Sequence, residues 1–342
     1  MKQIKIIKKI FILICFLTLF IHVKFNQIGN AKVLSVDLNS SQFNKIQYAV
    51  ENASDGDIIF VYNGVYNESI VINKLIKLIG EDRNDTIIDG KIKNTTILIT
   101  AENVTIENFT IQNNRDVIES VGVGVISDNN VIRDNIIQNC RTGIILQNCK
   151  NNLINNNKVS SNIYGIGLKN SIKNIVYENF VNNNINTGIY SSDGTDNTIR
   201  NNTVFNHTYG IAMSFENSST IINNIISKNI NQGINIYSCE NVIISSNSIL
   251  NNSIGVLLYS NCKNISIDQN LVTKSTIGIY LSSKSSGYKV NNNMFSDVDE
   301  KIHFEEEATV ENISLTIIIF IIMLLAVINL IIMRFLWKKK KL

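Results

Sequence analysis

A glycine followed by isoleucine or valine recurs along this chain at Gly143, Gly165, Gly188, Gly210, Gly233, Gly255 and Gly278, with alternating spacings of 22 and 23 residues. An asparagine keeps nearly the same step at Asn135, Asn157, Asn179, Asn202, Asn224, Asn247, Asn270 and Asn293. Two independent markers holding one period leave few architectures open. Each repeat is a unit that cannot bury its own apolar face, so neighbours must stack into a solenoid.

What lies between the markers fixes the type of solenoid. Counting from each glycine, the first and third positions are Ile144 and Leu146, Ile166 and Leu168, Ile211 and Met213, Ile234 and Ile236, Val256 and Leu258, and Ile279 and Leu281. Apolar residues two apart are the mark of a strand with one buried face. Three before and two after each asparagine the residues are apolar again, as in Ile154 with Val159 and Ile244 with Ile249. A repeat of this length then holds two or three short strands with their turns and no helix of about ten residues. The predicted fold class is all-β, a single-stranded parallel β-helix of ten or eleven coils.

Composition agrees with many short strands and tight turns. There are 63 isoleucines, which suit a half-buried pleated surface, and 54 asparagines, which tolerate left-handed turn backbone. No proline occurs in the 342 residues, as expected where every coil donates ladder hydrogen bonds. Stacked coils place successive asparagines of the recurring series about 4.8 Å apart, close enough for their amides to bond along the stack, so that series is expected to be a structural ladder.

The two ends differ from the middle. Residues 1–31 and 315–342 carry 10 of the 31 basic residues and none of the 28 acidic ones, so the middle has a net charge of 21 − 28 = −7. An acidic middle is a poor match for a nucleic acid, whose binders draw most of their affinity from clustered Lys and Arg. Four lysines in residues 1–9 precede an apolar run at 10–21, and Gly29-Asn30-Ala31 offers a small-residue cleavage site; residues 1–31 are read as a secretory signal. Residues 315–333 are apolar except for Thr316 and Asn329, and Arg334 and Lys338 to Lys341 follow. That pattern predicts one membrane helix, set at 314–336, with residues 337–342 as a basic cytoplasmic tail and the repeats outside the cell. Between the ends, residues 32–57 are assigned to an N-terminal cap, 58–300 to the β-helix, and 301–313 to an acidic stalk.

Phe43, Ile46, Ala49, Val50 and Ala53 fall on one helical face, which predicts a short amphipathic helix over 41–53 covering the first coil. Asn108 to Asn135 is 27 residues rather than 22 or 23, so residues 113–123 form an insertion that leaves the stack. The opening, from Gln42-Phe43-Asn44 through Ser54-Asp55-Gly56-Asp57-Ile58-Ile59, Tyr62-Asn63-Gly64-Val65-Tyr66 and Leu78-Ile79-Gly80-Glu81-Asp82 to Ile88-Asp89-Gly90, resembles NosD-type β-helix domains. These belong to the right-handed parallel β-helix, pectin-lyase-like group, are often called periplasmic copper-binding, and are abundant on archaeal cell surfaces. The resemblance covers about residues 36–300 and implies a right-handed coil; it is specific for fold and weak for activity.

Side chains alternate along a strand, so the second and fourth positions after each glycine face outward. They place Tyr190, Tyr237, Tyr259 and Tyr280 on one surface with Lys169, Gln147 and Asn235. Aromatic rings spaced along a sheet among hydrogen-bonding groups suit a stacked polysaccharide or envelope glycan; tyrosines that only stabilise neighbouring coils are the plainer reading.

Asp193, Asp196, Glu216 and Glu240 cluster near one turn of three consecutive coils, the nearest approach to the carboxyl pair of a glycosidase. Neither the paired aspartates with a histidine motif of polygalacturonases nor the acidic calcium site and basic proton acceptor of pectate lyases is found, and a lyase or hydrolase stays the alternative to a binding module or a purely structural envelope component. His207 stands where other coils have Asn162, Asn184, Asn229 and Asn252, and reads as one more polar rung.

No cofactor is expected. Copper, which the resemblance implies, would draw on His207, His303, Met213, Met294 and the cysteines, which no Cys-x-x-Cys or His-rich motif groups; calcium has no acidic motif of its own here. Cys239 and Cys262 fall on adjacent coils within disulfide reach, yet stacked rungs aim their side chains alongside one another, which favours free thiols.

Overall fold

The computed structural model describes residues 31–39, 42–91, 94–113 and 116–305. Both terminal apolar segments lie outside the described residues, and among the described residues no helix is long and apolar enough to cross a membrane. The described chain is an all-β solenoid with every strand paired in parallel to the strand one coil away, as in Ile132 opposite Ile154 and Ile144 opposite Ile166.

Each regular coil contributes three strands, taken here as three ladders. In one coil the first ladder has Val131–Arg133, the second Ile136–Gln138 and the third Thr142–Gln147, after which Leu153–Asn155 begins the next coil. The first ladder is a sheet of twelve strands from Val33–Val36 to Lys289–Asn291. The second and third merge into a twenty-stranded sheet, because Leu271–Leu281 and Met294–Phe304 run through the turn between them.

Twelve rungs exceed the ten or eleven expected. The surplus arises at the start, where Val33–Val36 already pairs with Ile58–Val61 inside the segment assigned to the cap. Early steps along this ladder depart from 22 or 23 residues, as between Ile58–Val61 and Lys77–Gly80, so the period does not reveal them. At the other end the last strand runs to Phe304, four residues past the expected β-helix boundary at 300.

The stack is filled by one residue per short strand and two per long one. Ile132, Ile154, Val176, Ile199, Ile221, Ile244 and Ile267 form a continuous column from the first ladder, and Ile144, Ile166, Ile189, Ile211, Ile234, Val256 and Ile279 one from the third, all with no exposed surface. Burial of such columns is the main apolar driving force for the fold. The glycine before each third-ladder column residue has a steric cause. A Cβ at Gly143, Gly210 or Gly255 would stand 2.5 to 2.7 Å from the carbonyl oxygen of the equivalent glycine one coil on.

The helix is shorter than expected, Ile46–Asn52, and buries Ile46, Ala49 and Val50 against the first coil. Its first backbone donors are met from another coil: the Glu68 carboxylate accepts from the N–H groups of Ile46 at 2.9 Å and Gln47 at 3.0 Å. A carboxylate there also complements the helix dipole. The far end of the described stack is less enclosed, since Val290, Phe295, Val298 and Ile302 are only partly buried.

Asparagine does two jobs at the turn between first and second ladders. The residue just before each ladder asparagine has left-handed backbone, as Asn156, Asn201 and Asn223 do at φ of 53 to 56°. The ladder residue then points inward. The Asn202 Oδ1 accepts from the N–H and Nδ2–H of Asn179 at 3.0 Å each, while its own Nδ2–H bonds reach Asn224 Oδ1 and the carbonyls of Val176 and Arg200. The same pattern links Asn135 through Asn293, so the expected ladder is continuous.

Candidate functional site

The outer face of the third ladder carries the groups with most chemistry. Register gives three outward columns: one through Thr142, Tyr164, Thr187, Tyr209 and Gln232; one through Ile145, Gly167, Tyr190, Ala212, Asn235, Leu257 and Tyr280; one through Gln147, Lys169, Ser192, Ser214, Tyr237 and Tyr259. Every outward tyrosine expected from the glycine spacing is therefore on this face, but they fall into separate groups.

Tyr237 and Tyr259 are direct cross-strand partners, with ring centroids 5.9 Å apart and planes tilted by 33°. Phe215 extends the row, its ring 5.4 Å from Tyr237 and edge-on to it. All three are well exposed, at 55, 37 and 50% for Phe215, Tyr237 and Tyr259. Phe215 follows the strand Tyr209–Ser214 in left-handed backbone, φ 54°, a turn conformation that alternation along a strand does not reach. Asn235 lies on the same strand face as Tyr237, and Lys169 is exposed three rungs away in the same column as Tyr237.

Tyr190 behaves differently. Its ring occupies the space a side chain at Gly167 would fill, and it meets Tyr164 edge-on at 5.6 Å. Burial pushes its phenol up to about 12. Tyr190 thus spends much of its surface on the neighbouring coil. Tyr164 and Tyr209, one position before their glycines, are additional aromatics on this face that the spacing rule of two and four residues passed over. Tyr280 stacks on His303 at 4.7 Å, and the His303 ring lies 3.0 Å from a Glu300 carboxylate oxygen.

The four acidic candidates are not gathered. Asp193, Asp196 and Glu240 are exposed on turns, whereas Glu216 is turned into the stack and buried. Its carboxylate accepts hydrogen bonds from Ser191 Oγ at 2.7 Å, Ser219 Oγ at 2.5 Å and Asn197 Nδ2 at 3.3 Å. Gly194, on the adjacent coil, leaves the room it occupies. A buried carboxylate satisfied by hydroxyls and an amide belongs to the interior column it shares with Ser171 and Cys239, and it presents nothing to a substrate outside.

His207 is buried in its asparagine column, as its position implied. Its Nδ1 accepts from the Asn184 N–H at 3.1 Å, its Nε2 lies 3.2 Å from the Val181 carbonyl, and its own N–H donates to Asn229 Oδ1. Burial lowers its pKa below the ordinary histidine value, against the nearby Asn184 and Val181 carbonyls, which raise it. Cys140, Cys149, Cys239 and Cys262 are free and buried, and burial pushes the Cys140 and Cys239 thiols up to about 12. Among the described residues no three His, Cys, Asp or Glu side chains converge on a point where a metal could sit. With both His207 ring nitrogens engaged and the thiols held as protonated interior groups, these donors do not fit a copper centre.

Comparison with known proteins follows the same line. A family profile described as right handed beta helix region matches residues 164–295, and one described as periplasmic copper-binding protein (NosD) matches residues 50–213. No curated protein sequence matches the chain significantly. Among solved structures, the Dettilon tailspike protein (gp208) superposes with a TM-score of 0.62 at 14% identity, over 78% of this chain and 68% of that one. The A-module of the mannuronan C-5 epimerase AlgE4 of Azotobacter vinelandii gives 0.58 at 16%, over 77% and 95%. DFA-IIIase from Arthrobacter chlorophenolicus A6 gives 0.64 at 12%, over 84% and 89%. At such identities the likeness is one of fold, and function must be argued from the site.

Proposed function

The chain is a right-handed parallel β-helix repeat protein, and on that premise we propose that it is an interaction module that holds a polysaccharide or envelope glycan along the outer face of the third ladder. The observation that carries this reading is the row Phe215, Tyr237 and Tyr259, three exposed rings on successive coils with centroids 5.4 and 5.9 Å apart. Soluble surfaces seldom leave contiguous aromatic area exposed without a partner. Rings in file with Asn235 and Ser214 beside them offer apolar faces to sugar C–H groups and hydrogen bonds to hydroxyls. Tyr280 with His303 would continue the track, and Lys169 would meet an acidic substituent farther along it.

The proteins of similar fold named above, a tailspike protein, a mannuronan C-5 epimerase module and DFA-IIIase, add support at a general level. Display outside the cytoplasm is part of the proposal: it rests on the signal-like and apolar terminal segments and on the periplasmic description of the matched NosD family. Binding without turnover is expected, because Glu216 faces inward, away from the exposed Asp193, Asp196 and Glu240. The test is retention of the full chain on a panel of insoluble wall and envelope polysaccharides, with the supernatant assayed for released sugar. Retention without release is the expected result. Release would move the function to catalysis, and no retention on any polymer would reject the glycan face.

A further inference from the structure

Glycines in this fold are explained by what surrounds them, with one exception. Every other described glycine either has left-handed backbone, as Gly56 and Gly287 do, or would drive a Cβ to less than 3.0 Å from a neighbour. Gly124 does neither. A Cβ there would make ordinary contacts, at 3.4 Å to Leu98 and 3.5 Å to Thr95, and its φ is not in the left-handed range. It sits in the middle of the strand Val121–Val125, where glycine weakens a strand and often marks the close approach of a ligand.

What Gly124 leaves is a groove of about 290 Å³ on the outer face of the third ladder. Leu98 and Ile145, the cross-strand neighbours of Gly124, form its apolar sides, and Asn94, Glu119 and Gln147 its polar rim. Glu119 belongs to the insertion in this coil and has left-handed backbone, φ 73°. The wall it supplies is thus absent from the regular coils that follow. The volume lies near the lower end of the range for small-ligand sites, about 300 Å³, room for a single sugar ring.

We infer that this groove is a subsite for one neutral pyranose unit, seated between Leu98 and Ile145 over Gly124 with its hydroxyls on Asn94, Glu119 and Gln147. The inference rests on the glycan reading of this face but not on the tyrosines. Among the described lining residues Glu119 alone is charged, so a uronate seated over Gly124 would meet a like charge. The column through Gly124 runs on through Ile145, Gly167 and Tyr190, so the groove opens onto the face that carries the aromatic row.

The experiment measures binding of cellohexaose and chitohexaose to the full chain, with hexagalacturonate as the anionic probe. Wild type, Gly124→Val, Gly124→Ala, Gln147→Ala and the pair Tyr237→Ala with Tyr259→Ala are compared, each with its melting temperature. Gly124→Val fills the groove with a residue that suits strands. It is expected to lose about tenfold in affinity for a neutral hexasaccharide with no fall in melting temperature, as is typical of blocked sugar-ring contacts. Gln147→Ala removes an exposed rim group, carries no folding risk, and is expected to weaken binding in the same direction. Unchanged affinity in both variants would overturn the groove while leaving the aromatic row standing if the tyrosine pair loses retention. Loss in both with an unaffected tyrosine pair would keep the groove and reject the row. Tighter binding of hexagalacturonate than of either neutral probe, or no binding of a neutral hexasaccharide by wild type, would overturn the inference.

Discussion

The same third-ladder strands present two faces of opposite character. Inward, the residues one after each glycine are Ile144, Ile166, Ile189, Ile211, Ile234, Val256 and Ile279, a column with almost no variation. Outward, one position on, the residues are Ile145, Gly167, Tyr190, Ala212, Asn235, Leu257 and Tyr280, with no two neighbours alike. Close packing repeats the same demand in every coil and so repeats the same residue. Packing constrains the outer column only locally, as where Tyr190 covers Gly167, and leaves the other positions free to carry recognition. In this molecule the fold lives on one set of alternate residues and the proposed glycan face on the other.

The contrast can be broken most severely from within. Asn202→Ala would leave the Asn179 N–H and Nδ2–H without their shared acceptor deep in the stack, and should cost about 4 kcal/mol, since a buried unsatisfied group costs roughly 1–3 kcal/mol. Asn201→Ala, its exposed neighbour in left-handed backbone, should cost about 1 kcal/mol, near the αL penalty for a residue with a Cβ. Urea melts of the two variants check the difference, and equal losses would mean that the ladder bonds add little.

Ile244→Ala, in the first-ladder column, should destabilise by about 3 kcal/mol through lost transfer energy and a cavity. Ile243→Ala, exposed on the same strand, should change the same urea midpoint by less than about 0.5 kcal/mol.

A smaller effect is a dependence on pH. Burial lowers the His207 pKa in the fold, so the unfolded chain binds the proton more readily. Stability is then fully present above the unfolded value of about 6.5 and is lost as pH falls from there through the folded pKa. His207→Asn, which restores the residue found at Asn184 and Asn229, should flatten that loss in melts between pH 7 and 5. An unchanged slope would place the pH dependence elsewhere.

The repeat made most of the fold legible because each coil poses the same packing problem. The asparagine ladder, two or three strands per coil and the place of His207 follow from the period; the extra length before Asn135 shows too, but its expected bounds of 113–123 overrun the strand Val121–Val125, which stays in the stack because Val123 is needed in the core. Where the step departs from 22 or 23 residues the signal fails, which is why Val33–Val36 was assigned to the cap and the rungs were undercounted. The outer face was legible only as far as alternation reaches. Tyr237 and Tyr259 follow from it; Phe215 does not, because it stands in a turn, and the packing of Tyr190 over Gly167 depends on which residue the adjacent coil offers. Glu216 looked like a surface acid because nothing in sequence tells that Gly194, one coil away, opens a space for it.

The most direct test of the division between faces is one double variant measured two ways. Tyr237→Ala with Tyr259→Ala should shift the urea midpoint by less than about 1 kcal/mol, as exposed positions do, and should reduce glycan retention by about tenfold or more, the loss expected when two stacked rings are removed. A stack that unfolds, or a folded stack that retains glycan as wild type does, would contradict the assignment of recognition to the outer alternation.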